Sequence, residues 1–252
     1  MNAGRPFVDG STPSVLLVHG AFTDGSIWVD VIDGLRGAGI GVLAPANPLR
    51  GLAADAAYLA SIVRTIDGPV LLAGHAYGGA VITEAGSYVD NVVGLVYVAA
   101  FAPAAGESLL DLSTRFPKTP LGPALRPATF STGGTGSGVE LYLTPDRYHE
   151  VFAADLPERA TALAAAAQRP VAAIAFEQPV TAAAWTTLPS WFVVATADRV
   201  IHPDAQRFMA RRCGADTVEV DASHAVARSR PAEITTHIRA ALAATRAPRI
   251  QP

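Results

Sequence analysis

Leu71-Leu72-Ala73-Gly74-His75-Ala76-Tyr77-Gly78-Gly79 is the stretch on which the reading of this chain turns. An apolar run ends at a glycine-rich turn, and a segment with helical character follows. The pattern matches a strand–turn–helix elbow, G-x-S-x-G, which thrusts one side chain out at the tip of a sharp bend. The tip residue here is Ala76. A methyl group cannot attack a carbonyl. Either a nucleophile has been replaced at this position, or the turn serves chemistry other than acyl transfer.

Working outward from the elbow, short apolar runs recur at 14–18, 40–44, 69–73, 92–99, 191–196 and 217–220. They are continuous and do not alternate, which predicts parallel strands covered on both faces. Helices are expected over 52–66, 77–86, 203–212 and 231–245. In the first of these Ala56, Leu59, Ile62, Val63 and Ile66 share a face. The last two carry Pro203 and Pro231 at the first turn, where a missing N–H costs little. Strand–helix alternation of this kind predicts an α/β fold with a doubly wound, mostly parallel sheet. Between Pro103 and Leu188 the rhythm breaks. A proline-rich stretch, a Gly/Ser/Thr loop at 131–138, a helix start with Thr144 as N-cap before Pro145-Asp146-Arg147, and a helical pattern at 157–168 read as a helical cap. The expected organisation is a core of 1–102 and 189–252 with a cap insertion at 103–188.

Composition narrows the function classes. Half of the 252 residues are apolar, 16% are charged and the net charge is −3, with no basic run, so nucleic-acid binding is not expected. The single cysteine, Cys213, allows no intrachain disulfide. The stretch 1–13 is polar and lacks a leader's apolar core, and no run approaches the ~18 apolar residues of a membrane span. A soluble cytoplasmic protein is the expectation, with no membrane partner. His149, His202 and His237 lack metal-ligand spacing, so no metal site is expected. The oligomeric state is not readable.

Three segments carry candidate chemistry: His19-Gly20-Ala21-Phe22, the elbow, and Ala197-Asp198-Arg199 leading to Ser223-His224-Ala225. Their order along the chain, tip residue, then acid, then histidine, resembles that of the α/β-hydrolase family, and the resemblance runs from Val15 to about Ile238. It implies a triad with Ala76 at the nucleophile position, His224 as general base and Asp198 holding the histidine's tautomer. The strand after the elbow helix ends Ala99-Ala100-Phe101 with no carboxylate until Glu107, which favours Asp198 as the acid. Negative charge developing on a carbonyl oxygen needs two fixed N–H donors. One is expected from Tyr77 and the other from Ala21 or Phe22. His19 is expected to shape that turn.

The elbow and the His-Gly-Ala-Phe opening resemble those of small bacterial carboxylesterases and lactonases and, more distantly, plant methylesterases and hydroxynitrile lyases. The lyase branch usually has a lysine shortly after its histidine and a threonine after the first histidine. Ala225-Val226 and Gly20 stand there instead, which favours esterase chemistry. The implied substrate is a small, mostly apolar, uncharged ester or lactone, with no cofactor, bound under the cap. Phe22, Tyr77, Tyr142, Phe152, Phe176 and Trp185 are candidate lining residues. The favoured origin of Ala76 is a serine replaced, giving a variant that traps its uncleaved substrate; the alternatives are an aspartate replaced, as in epoxide hydrolases and dehalogenases, or a natural alanine. In the last case the protein is a ligand binder, or His224 and Asp198 act as a base without a nucleophile.

Overall fold

The computed structural model describes residues 14–246; the polar stretch 1–13 discussed above lies outside them. A six-stranded sheet, parallel at every pairing, has the order β2-β1-β3-β4-β8-β9. Its strands are β1 (Ser14–Val18), β2 (Val42–Leu43), β3 (Val70–His75), β4 (Val92–Val98), β8 (Ser190–Ala195) and β9 (Asp216–Val220). Helices α1 (Val29–Gly37), α2 (Leu52–Val63), α3 (Tyr77–Ala85), α9 (Pro203–Arg212), α10 (Val226–Ser229) and α11 (Pro231–Arg246) flank it. Strands β1 and β3 are buried along their whole length, as their unbroken apolar runs require. Parallel strands present their carboxyl ends at one edge. His19, Ala76, Ala99 and Ala197-Asp198 therefore share one rim of the sheet.

The segment between β4 and β8 differs from the all-helical cap expected. It contains α4 (Leu109–Thr114), α5 (Leu121–Ala124), α6 (Pro145–Phe152), α7 (Glu158–Ala167) and α8 (Ile174–Glu177). It also contains a second, antiparallel sheet of β5 (Leu125–Gly133), β6 (Gly136–Leu143) and β7 (Val171–Ala172). The Gly/Ser/Thr stretch is the tip of the β5–β6 hairpin, where Gly133 and Gly134 take positive φ (99° and 56°) that suits a tight turn. Strand β5 is largely exposed, so it carries no apolar run for sequence reading to detect. Thr144 precedes α6 as expected, but its side chain makes no capping hydrogen bond.

Candidate active site

The elbow is present in the backbone. Strand β3 ends at His75, α3 begins at Tyr77, and Ala76 between them has φ 53° and ψ −120°. An L-residue in that region costs of order 1–3 kcal/mol and persists only where its surroundings hold it. They do so here: Ala76 N–H donates to the Val98 carbonyl (3.3 Å), and Phe101 N–H donates to the Ala76 carbonyl (3.1 Å). Gly78 lets α3 pass the β1 end, since a Cβ there would overlap the Val18 carbonyl oxygen. Gly20 is required for a similar reason, because its Cβ would lie 2.6 Å from the Ala76 methyl.

His224 follows β9 and Asp198 follows β8, and the structure brings them together. His224 Nδ1 lies 2.7 Å from Asp198 Oδ2, with both side chains buried. Asp198 is itself tightly held: Oδ1 accepts from Val200 N–H (2.7 Å) and Ile201 N–H (3.0 Å), and Oδ2 from Gln206 Nε2 (2.7 Å). An acceptor at Nδ1 keeps the proton there and leaves Nε2 free to accept another. The histidine loop is pinned on three further sides. Asp155, at the end of the α6 turn, accepts from Ser223 N–H (3.0 Å) and Ser223 Oγ (2.5 Å). Ala225 N–H donates to the Phe152 carbonyl (3.0 Å), and His75 Nε2–H donates to the His224 carbonyl (2.9 Å). Desolvation, followed by the nearby His224, holds the His75 pKa well below the usual histidine value, so this ring is neutral.

The two candidate donors at the first turn separate. Phe22 N–H is already given to the Arg169 carbonyl (3.0 Å). Phe22 itself adopts φ 61°, and its own carbonyl accepts from Tyr148 Oη (2.9 Å). Ala21 N–H makes no such bond among the described residues, and Tyr77 N–H is the first of α3, where helical N–H groups lack intrahelical partners. His19 holds the turn through both ring nitrogens: Nδ1–H donates to the Gly20 carbonyl (2.9 Å) and Nε2 accepts from Asn47 N–H (2.9 Å).

A cavity of about 580 Å³, mainly apolar, lies between the cap and the strand ends and is walled by Phe101, Leu125, Leu141, Phe176, Ile201 and Ala205 among others. Of the aromatic lining candidates only Phe176 reaches it. Phe152 packs edge-on to His224, with ring centroids 5.0 Å apart, and stacks on Tyr148. Tyr142 donates to Glu140 on the cap sheet, and Trp185 donates to the Pro103 carbonyl beneath Arg212. Phe22 and Tyr77 line the elbow side, not this cavity, and neither Ala76 nor His224 borders it. Phe101 and Phe176 connect the two regions: Phe101 through its bond to Ala76, Phe176 through its ring 6.5 Å from Tyr77. Among the described residues no group of three or more His, Cys, Asp or Glu is placed to hold a metal ion, and no helix is long and apolar enough to cross a membrane.

Parallel strands that deliver a tip residue, an acid and a histidine to one sheet edge, in that chain order, make this an α/β-hydrolase architecture. Residues 15–236 match the model of the alpha/beta hydrolase family, and the chain belongs to that family. It is 36% identical over 110 residues to the carbendazim hydrolyzing esterase of Nocardioides sp. (strain SG-4G), covering 38% of this chain and 46% of that relative, so the match spans about half of the relative's length. The structure of polyneuridine aldehyde esterase superposes with a TM-score of 0.79 at 20% identity, covering 92% of this chain and 99% of that one. Tomato methylketone synthase I complexed with 2-tridecanone superposes with a TM-score of 0.75 at 20% identity, covering 93% and 99%. Another of its structures holds β-ketoheptanoate. At these identities the structural likenesses speak for the fold alone.

Proposed function

We propose that this site recognises a small, mostly apolar, uncharged carboxylic ester or lactone, and that Ala76 stands where the serine of a Ser–Asp–His triad belongs. One observation carries the reading: a buried His224–Asp198 pair and a strained elbow with a methyl at its tip stand at the same rim of the sheet. His224 is oriented by Asp198 at 2.7 Å, the elbow keeps its strained backbone, and the N–H groups of Ala21 and Tyr77 have no competing acceptor among the described residues. The roles follow. Ala21 and Tyr77 hold the carbonyl oxygen as charge builds on it, and His224 Nε2 accepts a proton and returns it to the leaving group. With a methyl at position 76 no acyl-enzyme forms, so the chain as written binds its ester without turning it over by this route. The names of the esterase relatives support this class of substrate; the apolar cavity adds to it only through Phe101 and Phe176, which join it to the elbow. The Ala76→Ser protein is expected to hydrolyse members of an ester and lactone panel and to label covalently with a fluorophosphonate. A folded Ala76→Ser protein that does neither overturns the reading. Turnover of epoxides by Ala76→Asp, with Ala76→Ser silent, would assign an aspartate to the position.

A second reading takes Ala76 as the working residue. A histidine base beside two N–H donors suits proton transfer at a carbon next to a carbonyl, which needs no nucleophile. The neighbour structures holding 2-tridecanone and β-ketoheptanoate favour it. Under this reading the Ala76 protein exchanges α-protons of an apolar ketone in deuterated buffer, and His224→Ala abolishes the exchange.

A further inference from the structure

Asp55 lies in the first turn of α2 and is fully buried. Its carboxylate accepts from Arg50 N–H (3.1 Å to each oxygen), from Gly51 N–H (3.5 Å) and from Tyr77 Oη (2.7 Å). Among the described residues no cation forms an ion pair with it: the Arg50 guanidinium pairs with Glu140 of β6 (2.6 Å) and lies over the Phe130 ring of β5 (4.5 Å to the centroid). A buried carboxylate without a counter-ion is costly, and its place at the α2 N-terminus, where it accepts from the Arg50 and Gly51 N–H groups, offsets only part of that cost. Desolvation accordingly pushes the Asp55 pKa up, against the pull of the Tyr77 hydrogen bond.

The carboxylate joins two things. On one side is the strap Leu49-Arg50-Gly51, whose backbone is unusual at both ends: Leu49 has φ 60° and Gly51 has φ 148°. The cap sheet grips this strap through Arg50–Glu140 and through Ala172 N–H, which donates to the Leu49 carbonyl (2.9 Å). On the other side is Tyr77, the residue after Ala76. Its phenol is anchored in the protein interior while its N–H opens α3. Fixing the ring fixes the first residue of the helix, and with it the direction of that N–H.

We propose that Asp55 is a positioning residue for the Tyr77 oxyanion donor and that the strap 49–51 passes the seating of the cap hairpin on to it. The proposal rests on the role given above to Tyr77 N–H. A neutral ester carbonyl makes little demand on this donor, whereas a developing oxyanion makes a large one. Loss of a whole donor costs roughly 10²–10³ in rate, so misalignment of one is expected to cost about 10-fold.

The test uses two backgrounds. In Ala76→Ser protein, Tyr77→Phe and Asp55→Asn should each lower kcat about 10-fold with KM little changed. In the Ala76 protein, the same changes should weaken binding of an alkylphosphonate monoanion, a stand-in for the tetrahedral oxyanion, about 10-fold and leave binding of a neutral ester unchanged. Glu140→Gln, at the cap end, should shift kcat and phosphonate binding in the same direction by less. Variants that lose thermal stability yet keep kcat and phosphonate affinity would make Asp55 a structural anchor only and overturn the proposal. So would a phosphonate that binds none of the proteins, since no oxyanion site would remain for Asp55 to serve. If Ala76→Ser hydrolyses no ester while phosphonate binding still responds to Tyr77→Phe, the ester reading fails and this one stands.

Discussion

Replacing Asp198 gives two opposite tests at one position. Asp198→Ala removes the acceptor of four donors: Val200 N–H, Ile201 N–H, Gln206 Nε2 and His224 Nδ1. Gln206 keeps the Ile201 carbonyl (2.9 Å), so three donors lose their partner. Ile201 and His224 are buried, while Val200 is half-exposed and can recover a water. A buried donor left unmatched costs about 1–3 kcal/mol, so the expected loss is about 3 kcal/mol. In a domain of this size that lowers Tm by about 6–12 °C, measurable by circular dichroism. Asp198→Asn should behave differently. Its oxygen can still serve Val200 and Ile201, but its NH₂ faces two other donors, and relief comes when His224 moves its proton to Nε2. That tautomer cannot accept a proton from a nucleophile. In the Ala76→Ser background Asp198→Asn should therefore lower kcat by about 10⁴ while costing less stability than alanine. An Asp198→Ala protein that melts within about 2 °C of the parent, or an Asp198→Asn protein that keeps its kcat, would refute this account.

Three further outcomes are expected. Gly78→Ala forces a methyl onto the Val18 carbonyl with only backbone to yield and should cost about 3 kcal/mol in a urea titration, whereas Gly122→Ala, which meets nothing within 4 Å, should be silent; equal midpoints would refute the packing argument. Asp155→Ala frees Ser223 and the loop carrying His224, and in Ala76→Ser protein should lower kcat by about 10–10² with little change in KM; an unaltered kcat would show that Phe152 and His75 suffice to hold the loop. Desolvation lowers the pKa values of His19, His75 and His237 in the folded chain. The unfolded chain then binds more protons below its own value near 6.5, so stability is fully present above that pH and is lost as pH falls towards the folded values. A urea midpoint no lower at about pH 5 than at about pH 7.5 would contradict the assignment.

What sequence reading reached and missed follows from what each part uses. Strand β1 at Ser14–Val18 and helix α9 at Pro203–Arg212 coincide with their expected bounds, because an unbroken apolar run and a proline-led helix are local signals. The β5–β6 hairpin is not visible in the sequence, because β5 is largely exposed and is held by pairing with β6 and by Arg50 over Phe130. Asp55 in an otherwise apolar helix reads as a solvated residue until the fold brings Tyr77 against it. The bond of Phe22 N–H to the carbonyl of Arg169, far along the chain, removes one donor candidate and leaves no mark in either segment. Gln206, which braces Asp198, could have been suspected only from its place early in the helix after the acid. Tyr142 and Trp185 are aromatic, as a pocket wall would be, but both point their polar ends at the cap's own hydrogen-bond partners.

Ala76 keeps φ 53° with no hydroxyl to present, so the bend belongs to the backbone and its neighbours and not to any nucleophile. Alanine and serine tolerate that bend about equally, and the codon families GCN and TCN differ at one base. If the ester reading proposed above holds, a single point mutation separates a chain that only holds its ligand from one equipped to cleave it. On that reading the elbow is a position at which catalytic power can be dropped and regained while the backbone that shapes the site is inherited intact.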